Sequence, residues 1–319
     1  MLVGVNFILI ILGLTLVVKG ADYLISSSIS LGKKIGLSEM IIGIVIIGFG
    51  TSISELVVSV NAILNNVPEL SLGNIIGSNI ANILLVLGVA GLFNKLNLSK
   101  VNQFDNLYHL LTHILFFCVF FFFQLQVIFG IIFLLIFATY LYLSLTNKSD
   151  SHDEITTENN FVNRLVDKKP IIFGIPIILM SIILTLVGGE LTVNSTIKIS
   201  NFFGISESFI GLTIIALGTS LPEIATGVMA AKKNKTDLII GNVIGSNIYN
   251  LMLILGCVSI FDSFVYDSKQ FFSEVLILLL ATLIFLFIVT KKIVFDKKFS
   301  IFFFLVYILY ITNLYVKNF

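Results

Sequence analysis

An all-α polytopic membrane protein, with ten transmembrane helices arranged as two inverted five-helix repeats, is the fold this sequence predicts, on three observations. The chain is 57% hydrophobic and 12% charged with a mean hydropathy of +1.06, where soluble domains carry about a quarter charged residues. Several apolar runs reach the ~20 residues needed to cross a bilayer. Third, the stretch Gly73-Asn74-Ile75-Ile76-Gly77-Ser78-Asn79-Ile80-Ala81-Asn82 returns 168 positions later as Gly241-Asn242-Val243-Ile244-Gly245-Ser246-Asn247-Ile248-Tyr249-Asn250. Aligned without a gap, 43–93 and 211–261 share 23 of 51 residues. The identities fall mainly on Gly, Thr, Ser, Asn and Glu. A repeat kept for packing alone would keep its hydrophobic residues; this one keeps its oxygens.

Taken in order, the spans are expected near 5–31, 38–64, 70–93, 104–123, 127–146, 171–199, 206–231, 238–262, 270–290 and 299–316. The first lacks the basic leader of a signal peptide and is read as a helix that stays. The polar segment Thr146–Lys169 mixes charge signs and is too short for a domain. It divides the chain into a first repeat (1–146), a linker (147–169) and a second repeat (170–319). The 168-residue offset also pairs Gly36-Leu37-Ser38-Glu39 with Gly204-Ile205-Ser206-Glu207, and Asp22 with Glu190. Five is odd, so the second half enters the membrane from the opposite side. Secondary transporters built this way hold their substrate at the midplane between repeats.

Orientation follows from the basic residues. The side holding the linker carries Lys33, Lys34, Lys95, Lys100, Lys148, Arg164, Lys168, Lys169, Lys232, Lys233, Lys235, Lys291, Lys292, Lys297 and Lys298, leaving only Lys19, Lys198, Lys269 and Lys317 elsewhere. That asymmetry predicts a cytoplasmic linker and both termini outside, in the cell membrane. The net charge of +1 is uninformative, and no basic patch suggests a nucleic-acid partner. Cys118 and Cys257 both sit in apolar segments and are read as unpaired.

The chemistry centres on Glu55 and Glu223, at matching positions inside apolar spans. A carboxylate at membrane depth costs several kcal/mol and is by default functional. No Lys or Arg lies inside the second, third, seventh or eighth spans to pair with either, so the natural partner is a cation. Around them stand Thr51 and Ser52, Thr219 and Ser220, Ser78 and Asn82, Ser246 and Asn250. Residues four apart share a helix face, as Thr51 does with Glu55 and Ser78 with Asn82. Hard oxygen donors without His or Cys suit Ca²⁺ or Na⁺ rather than zinc, copper or iron. Two carboxylates neutralise one divalent ion. Gly50, Gly218 and Pro222 are expected to interrupt the helices and free carbonyls. The Gly73/Gly77 and Gly241/Gly245 pairs predict close packing that brings Ser78 and Asn82 against Thr51 and Glu55.

GTSISE…GNIIGSNIAN and GTSLPE…GNVIGSNIYN resemble the two alpha repeats of the cation/calcium exchanger superfamily, most closely its prokaryotic sodium/calcium exchangers. The resemblance implies that the second, third, seventh and eighth helices enclose the ions. It implies Glu55, Glu223, Thr51 and Thr219 as Ca²⁺ ligands. Ser52, Ser78, Ser220, Ser246, Asn82 and Asn250, both glutamates, and the carbonyls at Gly48 and Ala216 are implied as Na⁺ ligands. Ser54 departs from the family's proline in the first repeat. Asn250 stands where potassium-dependent members carry Asp, which argues against K⁺ co-transport.

The expected function is therefore an antiporter, not an enzyme, that exchanges Na⁺ for Ca²⁺ and extrudes cytoplasmic Ca²⁺. It needs no cofactor, no obligatory protein partner is evident, and its surroundings are the lipid bilayer. A proton/calcium exchanger using the same glutamates is the alternative, and a cation channel a more distant one. Other polar residues have plainer readings. His109 and His113 lie at the mouth of the fourth span without acid or thiol partners beyond Asp105. Phe116–Phe123 reads as lipid-facing bulk, and Glu39 and Glu207 as helix-start residues after Ser. Asp22 and Glu190 either line an access path or sit near an interface.

Overall fold

The computed structural model describes residues 2–65, 67–98, 101–146, 166, 170–202, 216–261 and 269–318. The first half comprises α1 (Leu2–Ile35), α2 (Glu39–Leu64), α3 (Pro68–Phe93), α4 (Gln103–Phe122) and α5 (Val127–Thr146). In the second half, α6 (Ile175–Phe202) follows a π-helical turn at Pro170–Gly174. Two described pieces form α7, Ala216–Thr219 and Leu221–Lys232. After them come α8 (Thr236–Phe261), α9 (Phe272–Thr290) and α10 (Lys297–Asn318). Among the described residues nine helices are long and apolar enough to cross a membrane. The tenth expected span, 206–231, lies partly outside the described residues, as do Glu207 and nearly all of the linker.

Local chemistry explains the helix ends. Ser38 caps α2 by accepting from Ile41 N at 3.3 Å, and Asn102 caps α4 by accepting from Phe104 N at 3.0 Å. Pro68 begins α3, where a missing N–H costs nothing. Gly36 takes a φ of +76° and closes α1, with Leu37 N donating back to Gly32 O at 2.9 Å. That left-handed geometry is cheap only for glycine. Inside the spans, the hydroxyls of Ser27, Thr185 and Thr192 donate to carbonyls one turn back, which satisfies these three in hydrocarbon.

α3 and α8 are the central helices. In their most apolar windows 89% and 83% of the residues are buried, against 28% for both α5 and α10. α1 and α6 instead pack along one another on the flank of this core. A Cβ on Gly13 would lie 2.7 Å from Gly188 O, and one on Gly20 would lie 2.9 Å from Ser181 O. These two contacts exchange under the 168-residue offset, which is the signature of a two-fold relation between the halves. On the basic side a two-residue antiparallel pairing joins β1 (Leu96–Asn97) to β2 (Val294–Phe295), with Leu96 opposite Phe295, and ties the halves together.

Two expectations need correction. Phe116–Phe123 is not uniformly lipid-facing: Phe116 and Phe120 are buried, while Phe122 and Phe123 are exposed. The helical period turns alternate rings inward, towards partners such as Phe271. Glu39 does more than open a helix. It pairs with Lys235 at 2.6 Å, joining the start of α2 to the loop before α8. Asp22 pairs with Lys233 at 3.0 Å, whereas Glu190 is exposed.

Candidate functional site

The site forms where α2 and α3 of one half meet α7 and α8 of the other. Glycines set the distance. A Cβ on Gly245 would sit 2.9 Å from Ile44 Cα, and one on Gly241 would sit 3.0 Å from Gly43 Cα and closer still to Met40 O. Only glycine lets α8 lie on α2 this tightly. Each central helix widens into a π-helical turn at this level: Gly43–Gly48 in α2, Asn82–Val86 in α3 and Tyr249–Ile254 in α8. Such turns loosen the carbonyl ladder and recur at functional sites. α7 breaks more sharply, with Ser220 outside helical geometry and Pro222 opening the next piece. The turn bearing Asn250 packs on α2, and the turn bearing Asn82 packs on α7.

Across this crossing the hydrogen bonds obey the repeat. Thr51 Oγ1 donates towards Asn242 Oδ1 at 3.3 Å, and Thr219 Oγ1 donates to Asn74 Oδ1 at 3.1 Å. Those pairs exchange under the offset. Asn74 Nδ2 donates in turn to Ser59 Oγ (2.9 Å) and Glu55 O (3.2 Å), and Asn242 Nδ2 to Thr226 Oγ1 (3.1 Å). Thr51 Oγ1 also lies 3.3 Å from Ser246 Oγ and from Gly48 O. Ser246 Oγ lies 3.5 Å from that same carbonyl. The amides of Asn74 and Asn242 therefore aim the two threonine hydroxyls from the opposite repeat.

What these bonds surround is a set of bare oxygens. Glu55 and Glu223 are 0% and 1% exposed, and the charge of Glu223 acts on Glu55. Among the described residues neither makes an ion pair. Ser52 Oγ, Ser78 Oγ, Ser220 Oγ, Glu55 Oε1, both Glu223 oxygens, Asn82 Oδ1 and both amide atoms of Asn250 are buried without a hydrogen-bond partner there. Buried polar groups in proteins are overwhelmingly paired. So dense a set of exceptions among the described residues is what an ion-binding cluster would leave.

The two halves depart from each other beside the carboxylates. Ser54 Oγ lies 2.9 Å from Glu55 Oε2, 2.9 Å from Thr51 O and 3.1 Å from Thr219 O. Its counterpart is Pro222, which has no hydroxyl to offer. With Ser54 in place of proline, α2 runs unbroken from Phe49 to Leu64, and Gly50 does not interrupt it, against expectation. In exchange, Glu223 stands in the first turn of a new helical piece, where free N–H groups favour a negative charge.

α3 packs on α2 within its own half, with Asn74 Nδ2 reaching Glu55 O, and the hydrogen bonds of Thr51 and Asn82 also run across the halves. Thr51 meets Asn242 and Ser246, while Asn82 Nδ2 donates to Asn247 Oδ1 at 3.0 Å. The cause is the glycine seam, which lays α8 on α2. Residues 211–215, the counterparts of 43–47, lie outside the described residues; Ala216 opens the first described piece of α7. Sequence reasoning passed over Asn74, Asn242 and Asn247, although all three are identities of the repeated motif. It also left His109 at a helix mouth, whereas the residue is 1% exposed, with Nε2 3.1 Å from Asn247 Nδ2. No repeat signal marks that histidine.

Comparison with known proteins bears on what such a site serves. The family profile described as "Sodium/calcium exchanger protein" matches residues 5–146 and 173–316. The chain belongs to the sodium/calcium exchanger family. It is 33% identical over 87% of its length, and 86% of the relative's, to the inner membrane protein YrbG of Escherichia coli. Against the sodium/calcium exchanger MaX1 of Methanosarcina acetivorans it is 29% identical, covering 91% of this chain and 93% of that one. A solved structure of the sodium-calcium exchanger NCX_Mj, soaked with Na⁺ and Sr²⁺, superposes with a TM-score of 0.83 at 30% identity, over 97% of this chain and 98% of that one. As a member of this family the chain is a membrane transporter and not an enzyme. The ions such exchangers move are their substrates.

Proposed function

We propose that this protein exchanges Na⁺ for Ca²⁺ by alternating access and removes Ca²⁺ from the cytoplasm across the cell membrane. In this reading Glu55, Glu223, Thr51 and Thr219 hold Ca²⁺. The Na⁺ ions use the same glutamates with Ser52, Ser78, Ser220, Ser246, Asn82, Asn250 and the carbonyls of Gly48 and Ala216. Both termini lie outside, and the 147–169 linker joins the 1–146 and 170–319 repeats in the cytoplasm. The observation that carries it is the cluster of buried oxygens, partnerless among the described residues, around two carboxylates that make no ion pair there. One Ca²⁺ cancels their charge; so do Na⁺ ions sharing the flanking neutral oxygens.

Competition supplies the coupling. An empty cluster leaves two bare carboxylates in a low-dielectric interior, at a cost of about several kcal/mol each. The carrier therefore crosses with one ion set or the other. α1 and α6, packed on one another at the flank of the core, are the pair that moves past the cluster.

The test is ⁴⁵Ca²⁺ uptake by proteoliposomes loaded with Na⁺ and diluted into Na⁺-free buffer, repeated with a pH gradient instead. Uptake driven by Na⁺ and lost in Glu55→Gln and Glu223→Gln is expected. Uptake that follows only the pH gradient would transfer the protein to proton coupling. Absence of flux under either gradient would remove Ca²⁺ as the substrate.

A further inference from the structure

The repeat loses its symmetry along one polar chain. Asn82 Nδ2 donates to Asn247 Oδ1 at 3.0 Å, and Asn247 Nδ2 lies 3.1 Å from His109 Nε2. All three residues are buried. Under the 168-residue offset their counterparts are Asn250, Asn79 and Ile277. Asn79 Nδ2 turns back to its own helix, donating to Ile75 O at 2.6 Å, and its Oδ1 has no partner among the described residues. Ile277 offers no acceptor. One half grips its inner amide; the other does not.

The consequence follows from the shape of an amide. Its two ends are nearly equal in size, but one accepts and the other donates. A cation takes only the oxygen. Half a turn of the Asn82 side chain would present an NH₂ group to the cluster instead. That turn is blocked because the NH₂ is committed to Asn247 Oδ1. Asn247 is held in its turn because its own NH₂ is committed to His109, whose Nε2 must then accept, with the ring proton on Nδ1. The ring is wedged edge-on between His113, 4.4 Å away between centroids, and Phe285, at 5.7 Å.

We propose that His109, acting through Asn247, is a positioning residue that keeps Asn82 Oδ1 turned towards the ions and so sets Na⁺ affinity without touching Na⁺. This rests on the assignment of Asn82 to the Na⁺ set above. Ca²⁺, held by glutamates and threonines, does not use that oxygen. The effect is therefore selective.

The experiment measures, in proteoliposomes, the Na⁺ and Ca²⁺ concentrations giving half-maximal exchange, together with the maximal rate. His109→Phe is expected to raise the Na⁺ value about tenfold, the usual scale for losing an outer partner of an ion ligand. The Ca²⁺ value and maximal rate should move less than about twofold. His109→Gln, which restores an acceptor, should recover most of the loss, and His109→Phe should add nothing to Asn82→Ala. Asn247→Ala removes the same support from the next link, so a poorly folded His109→Phe does not end the test. An unchanged Na⁺ value in Asn247→Ala or His109→Phe, with Asn82→Ala impaired, overturns this inference alone. Equal losses for Na⁺ and Ca²⁺ overturn it too, as a general structural effect. An unchanged Na⁺ value in Asn82→Ala overturns the underlying site assignment.

Discussion

Glu55 and Glu223 hold equivalent places in the two halves, yet their surroundings solve the problem of a buried carboxylate differently. Glu55 sits inside an unbroken helix with the Ser54 hydroxyl 2.9 Å from one of its oxygens. Glu223 stands at the start of a helical piece behind Pro222, and both its oxygens are without partners among the described residues. The first has a neighbouring hydroxyl on its own helix; the second has a helix start. Duplication thus kept the two charges and let their supports diverge, so the halves are equivalent in topology and unequal in chemistry.

The largest expected effect tests that inequality directly. Removing one charge of a buried, matched set costs about 2–5 kcal/mol, so Glu223→Gln and Glu55→Gln should each weaken Ca²⁺ binding by roughly 30-fold or more. The loss should be greater at Glu223, which has two oxygens to give; equal losses in calorimetric titration would break the comparison. Next, Ser54→Ala frees Glu55 Oε2 from a charge-assisted bond worth about 1.5–3 kcal/mol. Ca²⁺ should then bind roughly tenfold tighter, while Pro222→Ala changes the affinity less than about threefold. A weaker site in Ser54→Ala would mean that the hydroxyl orients the carboxylate more than it competes for it.

Packing gives the next test. Gly241→Ala forces a Cβ against α2 and should cost about 1–3 kcal/mol, visible as a lower melting temperature in detergent. The smallest effect concerns the flank. Asp22 on α1 is paired with Lys233, but the equivalent pair would be Glu190 with Asn65, and Asn65 carries no charge. Lys233→Ala should loosen α1 from the end of α7 on the basic side, and Asn65→Lys should add the equivalent tie on the other. Each shift is worth less than about 1 kcal/mol, as for partly exposed ion pairs. Cysteine-accessibility rates at Ser52 or Ser220, moving in opposite directions in the two variants, would sharpen the comparison.

Much of this was legible beforehand because membrane insertion leaves a coarse record in sequence. The described spans fall within a few residues of the apolar runs, and the motif identities lie on the residues that line the crossing. Asn74, Asn242 and Asn247 were equally visible as identities, but their task was not. It depends on which helix of the other half lies opposite, and the glycine seam decides that in three dimensions. The π-helical turns leave no compositional mark. His109 belongs to neither repeat motif, and only its contact with Asn247 gives it meaning.

One feature of the flank reaches beyond the protein itself. α1 runs for 34 residues and α6 for 28, about 50 and 42 Å at 1.5 Å per residue. α9, with 19 residues, nearly matches a hydrocarbon layer of about 30 Å. Helices of unequal length in one bilayer respond unequally when its thickness changes: long ones alter their tilt, while short ones are left stretched or buried. Lipid chain length should therefore act on α1 and α6 against the frame they flank. In thinner and thicker vesicles the same protein should keep its ion affinities and change its turnover, so that the membrane itself sets the pace of exchange.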